Sequence, residues 1–515
     1  MNTLICAGGS GTRVLEALIH VCAAGLGPPS LRVLVIDPDS ANGNGNRVTS
    51  LVERYREAHR RFKGQLGDGL RLFGTELDLL DVGSRSEGLK TWSPIKKNEK
   101  LRDVLNVDLL GGTETPSDVV RLFFTRDELS MDLSEGFRGR PSVGAAAMSL
   151  VTLQKGEQPW RQLVEKLQGD LAREEGARVF MAGSVFGGTG AATFYPIARF
   201  LRSVPELNRD ALKIAVGALS PYFRFGAAEA GGNARTVKEA ARAELFPLAT
   251  RGAVDFYDHL QASNNWPFDL VYWIGDNSPV SVPYAPGGAE QKNPSHYVEL
   301  MTAMAALDFF KAPQVLQGSC YAGASRAGGN GDGPFTLEWE DLPLVAYDRA
   351  EVRQALLRFV LAGCVHLGFA GPLVRRSEIL SRPECVPWYW QRFASKGDSL
   401  GTEENVGLLN LLDDFFRTFH FPWWEQMHQQ APFRFFNRTA FGNGEGPRLD
   451  RLANLLGADR AAEADPDAID DFYTDMMRVP KRKGGARGTP AYLALLAHAS
   501  DRFITREYKK TGTKE

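Results

Sequence analysis

The chain reads as an α/β protein with a mostly parallel sheet, followed by a helix-rich C-terminal part. Three observations predict this. Apolar runs of strand length recur through the first half, stretches of helical period lie between them, and beyond about residue 350 long helical runs take over. In order, the strand-like runs are 3–7, 31–36, 178–182, 212–218 and 269–274. Helical period fills 14–24, and a long helix is expected from about 294 to 310. Strands alternating with helices pair in parallel, and ligands of such sheets sit beyond the carboxyl ends of the strands. Connections rich in glycine and proline lie at 39–46, 284–294 and 322–334, and the last is the expected domain boundary. After it, 351–369 and 406–419 read as helices, with Trp388, Trp390, Trp423 and Trp424 as core aromatics. An acidic stretch (Glu463, Asp465, Asp467, Asp470, Asp471, Asp475) and a basic one (Lys481, Arg482, Lys483, Arg487) read as solvated faces.

Composition narrows the class. A chain of 515 residues with 43% hydrophobic and 24% charged residues can bury a large core, so disorder is not its dominant state. Lysine plus arginine (60) balances aspartate plus glutamate (62), which gives no global basic field for nucleic acid. The five cysteines have no CxxC spacing and the eight histidines no metal-ligand spacing, so neither disulfide scaffold nor metal site is expected. With no secretory signal and no run of about 18 apolar residues, a cytoplasmic location without a membrane span is the expectation.

Two glycine-rich segments are suited to hold phosphate. Gly8-Gly9-Ser10-Gly11-Thr12-Arg13 follows the first apolar run, and Gly187-Gly188-Thr189-Gly190-Ala191 follows the third. Glycine there lets backbone N–H groups turn toward an anion, and the helix that follows adds its unpaired amides and dipole. The first segment lacks the GxGxxG spacing, since Val14 stands where a third glycine would be. Neither segment ends in the GK[ST] of a P-loop. Read without the rest of the chain, each is equally a tight turn.

The GGTG core at Gly187–Gly190 resembles the signature loop of the tubulin/FtsZ superfamily, with Ala192 in place of its next glycine. Other elements follow the same order across residues 1–310. Gly8-Gly9-Ser10-Gly11 is similar to the family's first glycine-rich loop, and Asp37-Pro38-Asp39-Ser40 to its acidic second loop. Gly139-Arg140-Pro141-Ser142 resembles the loop that cups the gamma-phosphate, with Arg140 in place of asparagine. Ser220-Pro221-Tyr222 looks like the Glu-Pro-Tyr element, with Ser220 replacing the ribose-contacting glutamate. Asn277 stands where the guanine-reading asparagine would be and Tyr297 where the base-stacking tyrosine would be, while the second asparagine position is Met301.

The resemblance implies a Rossmann-like GTPase domain over 1–292, a central helix at 293–312 and a C-terminal helix-rich domain over 313–515. It implies GTP or GDP with Mg2+ as ligands, and head-to-tail self-assembly in which a neighbour's carboxylate completes the hydrolytic site. The usual acidic loop pattern is absent, and Glu338 and Asp341 are the carboxylates expected to serve. Two other readings stay open. One is a nucleotide-sensing scaffold that recruits proteins through its C-terminal half, and the other is a Rossmann-like dinucleotide enzyme in which Asp37 accepts ribose hydroxyls.

Overall fold

The computed structural model describes the chain apart from residues 40–41, 68, 84–87, 108–113, 152, 174–175, 208–209, 226–244, 277–278, 284–288, 290, 316, 324–336, 396–397, 431–434, 437–448, 450–451, 457–466, 482–485 and 512–515. Two compact units emerge. The first comprises Met1–Ala17, Ser30–Ser50 and Leu77–Ser325, and the second comprises Leu18–Pro29, Leu51–Glu76 and Arg326–Glu515. Neither is one uninterrupted stretch of chain, so no single cut in the sequence separates them.

The first unit is organised by a sheet of strands β1 (Asn2–Ala7), β2 (Ser30–Ile36), β3 (Glu76–Leu79), β4 (Thr91–Trp92), β5 (Ala177–Ser184), β6 (Leu212–Leu219), β8 (Leu270–Gly275) and β10 (Gly318–Gly323). Its order is β10-β8-β6-β5-β1-β2-β3, with β4 also paired to β2. The pairings β1–β2, β1–β5, β5–β6, β6–β8 and β8–β10 are all parallel. A separate parallel pair joins β7 (Phe223–Phe225) to β9 (Val280–Val282). The expected parallel α/β fold is thus the observed one. Central strands are buried along nearly their whole length, as sheets covered on both faces require.

The helices in chain order are α1 (Gly8–Ala23), α2 (Gly43–Phe62), α3 (Leu101–Val104), α4 (Glu114–Phe123), α5 (Arg126–Leu129), α6 (Pro141–Leu150), α7 (Trp160–Leu171), α8 (Gly188–Ser203), α9 (Phe246–Ala262) and α10 (Tyr297–Lys311). One face of the sheet is closed by a core that includes Ile5, Trp160, Leu163, Val179, Ile197, Ile214 and Val271. Helix α10 is buried at every position from Tyr297 to Phe310, the mark of a helix surrounded on all sides. It is the long helix expected at 294–310.

The second unit is helical. Its helix Arg349–Val365 runs on through a π-helical turn, His366–Ala370, and Glu403–Asp414 does the same through Phe415–His420. The helical stretch Arg349–Val374 is long and apolar enough to cross a membrane, which the sequence reading did not register. Of its most apolar window, 72% is buried inside the protein, so it serves as core. Trp388, Trp423 and Trp424 are core residues as expected, whereas Trp390 is 41% exposed. Of the stretch read as a solvated acidic face, Asp475 is instead buried and pairs with Arg506 at 2.8 Å. Glu463, Asp465, Arg482 and Lys483 lie outside the described residues.

Candidate functional site

Strand order reverses between β1 and β5. From β1 the chain proceeds to β2 and β3 on one side, and from β5 to β6, β8 and β10 on the other. In open parallel sheets that reversal opens a crevice at the carboxyl ends of the two strands. Both glycine segments sit there. Helix α1 is already running at Gly8, directly after β1, so the first segment forms a helical first turn and not a loop before it. Helix α8 begins at Gly188 with Gly187 as its N-cap, just beyond β5. Two helix N-termini, each with unpaired N–H groups and the positive end of a dipole, therefore converge.

Close packing explains why these turns are glycine. Gly8 has φ +69°, and a Cβ there would lie 3.1 Å from the Cβ of Thr189 in the other turn. A Cβ on Gly11 would collide with the Ala182 carbonyl, so Gly11 serves the approach of α1 to β5. A Cβ on Gly188 would collide with Phe137, which is wedged against the start of α8.

The two turns line a single cleft. It holds about 840 Å3, the open space at its mouth included. Gly8, Gly9, Ser10, Arg13, Asp37, Asp39, Gly139, Gly187, Gly188, Thr189 and Gly190 all face it. Others on its wall were not singled out from sequence: Asn42, Asn44, Gln291 and Asn293 on one side, Glu135 to Arg138 on another. The amides hold one another, with Asn42 donating to Gln291 Oε1 at 3.1 Å and the Asn293 N–H donating to Asn44 Oδ1 at 2.9 Å. Asn42 and Asn44 fall in the connection at 39–46 and Gln291 and Asn293 in that at 284–294, and nothing in either marks them as cleft residues.

Charge in the cleft is arranged unevenly. Asp37 is buried, and burial together with the neighbouring Asp39 raises its pKa to about 7, although the Asp39 N–H donates to it at 3.1 Å. Arg138 pairs with Glu135 and holds a left-handed backbone, φ 45°. Arg13 sits 2.6 Å from Glu299 and donates to the Tyr222 hydroxyl at 2.5 Å. Burial alone lowers the pKa of this arginine, but Glu299 and Tyr222 outweigh it and its pKa is raised. Glu299, fully buried on α10, also accepts from Tyr222 at 2.8 Å and from the His296 N–H at 3.0 Å.

His296 caps α10 by accepting from the Val298 N–H through Nδ1, so its proton is on Nε2, which faces Asp276 at 3.7 Å. Burial, then the charge of Arg13, lowers its pKa to about 3, and it stays neutral. This network ties α1, the segment after β6 and the start of α10 into one polar core. It carries no motif, and Arg13, Tyr222 and Glu299 at its centre are 77 to 286 residues apart in sequence, which is why sequence reading missed it.

The sequence profile of the family described as Tubulin like matches residues 4–285, more than half of the chain. The chain belongs to the tubulin-like family. No curated protein and no solved structure matches it at a significant level.

Within this tubulin-like chain, several expected site residues lie away from the cleft. Thr12 turns its hydroxyl back to the Gly8 carbonyl at 3.0 Å. Arg140, Pro141, Ser142 and Ala191 line a different groove, and Arg140 pairs with Glu128 at 3.6 Å. Ser220 continues the strand pairing by donating its N–H to Ile274 at 2.8 Å, and Tyr222 belongs to the buried network. Tyr297 is 1% exposed, its ring 4.4 Å from His296 and its hydroxyl bonded to Asp276. Asn277 lies outside the described residues. Glu338 and Asp341 belong to the second unit, where they form the capping box of a short helical turn: the Glu338 N–H donates to Asp341 at 2.8 Å. Among the described residues no group of three or more His, Cys, Asp or Glu could hold a metal.

Proposed function

We propose that this chain binds a nucleoside triphosphate, GTP with Mg2+, in the cleft between the two glycine turns. In this reading it is a cytoplasmic protein that assembles head to tail and hydrolyses the nucleotide at subunit junctions. The observation that carries the reading is the convergence of the Gly8 and Gly188 turns on one cleft at the strand-order reversal. Donors fixed in the backbone suit a phosphate chain, because they are already oriented and no side chain has to be ordered on binding. The residues fit the divalent ion as well. Asp37, Asp39 and Glu135 are the carboxylates on the cleft wall that would hold Mg2+ together with the phosphate oxygens. The ion would supply charge neutralisation of the phosphates there. Ser10 and Thr189 contribute hydroxyls, and the Glu299 carboxylate keeps Arg13 charged beside the cleft.

Head-to-tail contacts join two different surfaces and need not close, so they generate filaments. Phosphate release per molecule then rises with protein concentration. A flat specific activity contradicts shared-site hydrolysis.

One observation favours a second reading, a non-hydrolysing nucleotide-sensing scaffold that recruits proteins through its C-terminal half. Glu338 and Asp341 are both engaged in a local cap. If Asp341 orients the hydrolytic water, Asp341→Ala preserves binding and lowers turnover; unchanged turnover favours the scaffold. The ligand itself is identified by denaturing the purified protein and analysing what is released. GTP or GDP supports the proposal, and NAD(H) would replace it with a dinucleotide enzyme.

A further inference from the structure

The start of α2 forms a further wall of the cleft, and side-chain amides are concentrated there. Asn42, directly before α2, accepts from the Asn44 N–H at 2.9 Å through Oδ1, which caps the helix. Asn42 and Asn44 are 6% and 1% exposed, yet both line the cleft. Gln291 and Asn293 join them from the segment before α10. That segment is pressed against the start of α2, since a Cβ on Gly43 would collide with the Ala289 carbonyl.

Backbone donors fix which way these amides face. A backbone N–H can only donate, so the atom it meets on an asparagine side chain is the oxygen. The Asn44 N–H thereby settles Asn42 Oδ1, and the Asn293 N–H, at 2.9 Å, settles Asn44 Oδ1. Asn42 Nδ2 is then the atom that donates to Gln291 at 3.1 Å and to the Asp37 carboxyl, so Gln291 turns Oε1 toward it. Asn42 is the hub of this chain of bonds, and Asn44 Nδ2 and Gln291 Nε2 are its donating ends. Among the described residues, no hydrogen bond uses either of those two nitrogens. Asn44 Nδ2 lies over the first glycine turn, 3.6 Å from where a Cβ on Gly9 would stand.

We propose that the side-chain amide nitrogens of Asn44 and Gln291 donate hydrogen bonds to the phosphate chain of the nucleotide, an inference that rests on the cleft being a nucleotide site. Groups that present only N–H match ionised phosphate oxygens, which only accept. The bonds that orient both amides exist before a ligand arrives, so little side-chain freedom is lost on binding. Placement over Gly9 sets Asn44 beside the backbone N–H groups of the first turn, where an anion is expected. The same wall carries Asp37 and Asp39, and neutral donors there let a phosphate approach it.

Binding of GTP and of inorganic tripolyphosphate to the full chain, each with Mg2+, tests this with two variants. Asn44→Asp keeps the size and the oxygen that accepts from the Asn293 N–H but replaces the donor by a carboxylate oxygen. Gln291→Met removes the other donor without adding charge, at a half-buried position. Asn44→Asp should weaken both ligands at least tenfold and Gln291→Met by roughly fivefold, with an unchanged far-ultraviolet circular dichroism spectrum. Tripolyphosphate has neither base nor sugar, so similar factors for the two ligands place the amides on phosphate. Unchanged GTP affinity in either variant, on a wild type that binds GTP, overturns the inference and leaves the cleft reading standing. A loss seen with GTP and not with tripolyphosphate puts the amides on base or sugar and also overturns it. A wild type that binds no GTP defeats the nucleotide reading itself.

Discussion

Asp37 shows how a single residue ties the cleft to solution conditions. With a folded pKa near 7 against an ordinary value of 3.8, the folded state holds a proton between about pH 4 and 7 that the unfolded chain has released. Stability therefore falls as pH rises through that window, by up to about 1.4 kcal/mol per pH unit from this group. Asp37→Asn should raise the melting temperature above that of wild type, and by clearly more at pH 8 than at pH 5. Equal effects at both pH values would show that Asp37 is not held protonated. The Arg13–Glu299 pair behaves oppositely to a surface bridge, since both side chains are at most 2% exposed. Removing one partner strands the other charge, so Glu299→Gln should lower unfolding free energy by roughly 3–5 kcal/mol in a urea titration. Neither role was readable from the sequence. Asp37 was singled out for its place after the second strand, and nothing local marks Glu299 as the partner of Arg13.

At the scale of elements, the wedge of Phe137 against Gly188 links the segment before α6 to the start of α8. Gly188→Ala should destabilise the protein by about 1–3 kcal/mol through overpacking, and Phe137→Ala in the same chain should recover part of that loss. Additive losses would show that the two residues do not compete for the same space. Strands β1, β2, β5, β6 and β8 and both glycine turns were legible because apolar runs and glycine clusters are local signals, whereas β7, β9 and β10 were not read. The start of α1 was not: glycine disfavours helix, so the periodic pattern is visible only from Val14, six residues after the helix begins. Strands β3 and β4, of four and two residues, are too short to carry an apolar run. The groove residues Arg140 to Ser142 follow Gly139 in sequence, yet the chain enters α6 there and turns them to another surface.

The whole molecule is less linear than its sequence suggests. A boundary read from glycine and proline falls at 322–334, mostly outside the described residues, but the second unit also takes in 18–29 and 51–76. Compactness is set by contacts between distant segments, which composition along the chain does not report. The central claim is that two turns separated by some 180 residues grip one nucleotide. Affinity for GTP with Mg2+, measured by titration calorimetry on the full chain, tests it through one change in each turn. Gly9→Asp places a carboxylate in the first turn, where a Cβ lies 3.2 Å from the Asn42 side-chain amide, and Thr189→Asp places one in the second with little change of size. Both variants should keep their folded circular dichroism and lose at least tenfold in affinity; undiminished affinity in either one would mean that the turns do not hold the same ligand.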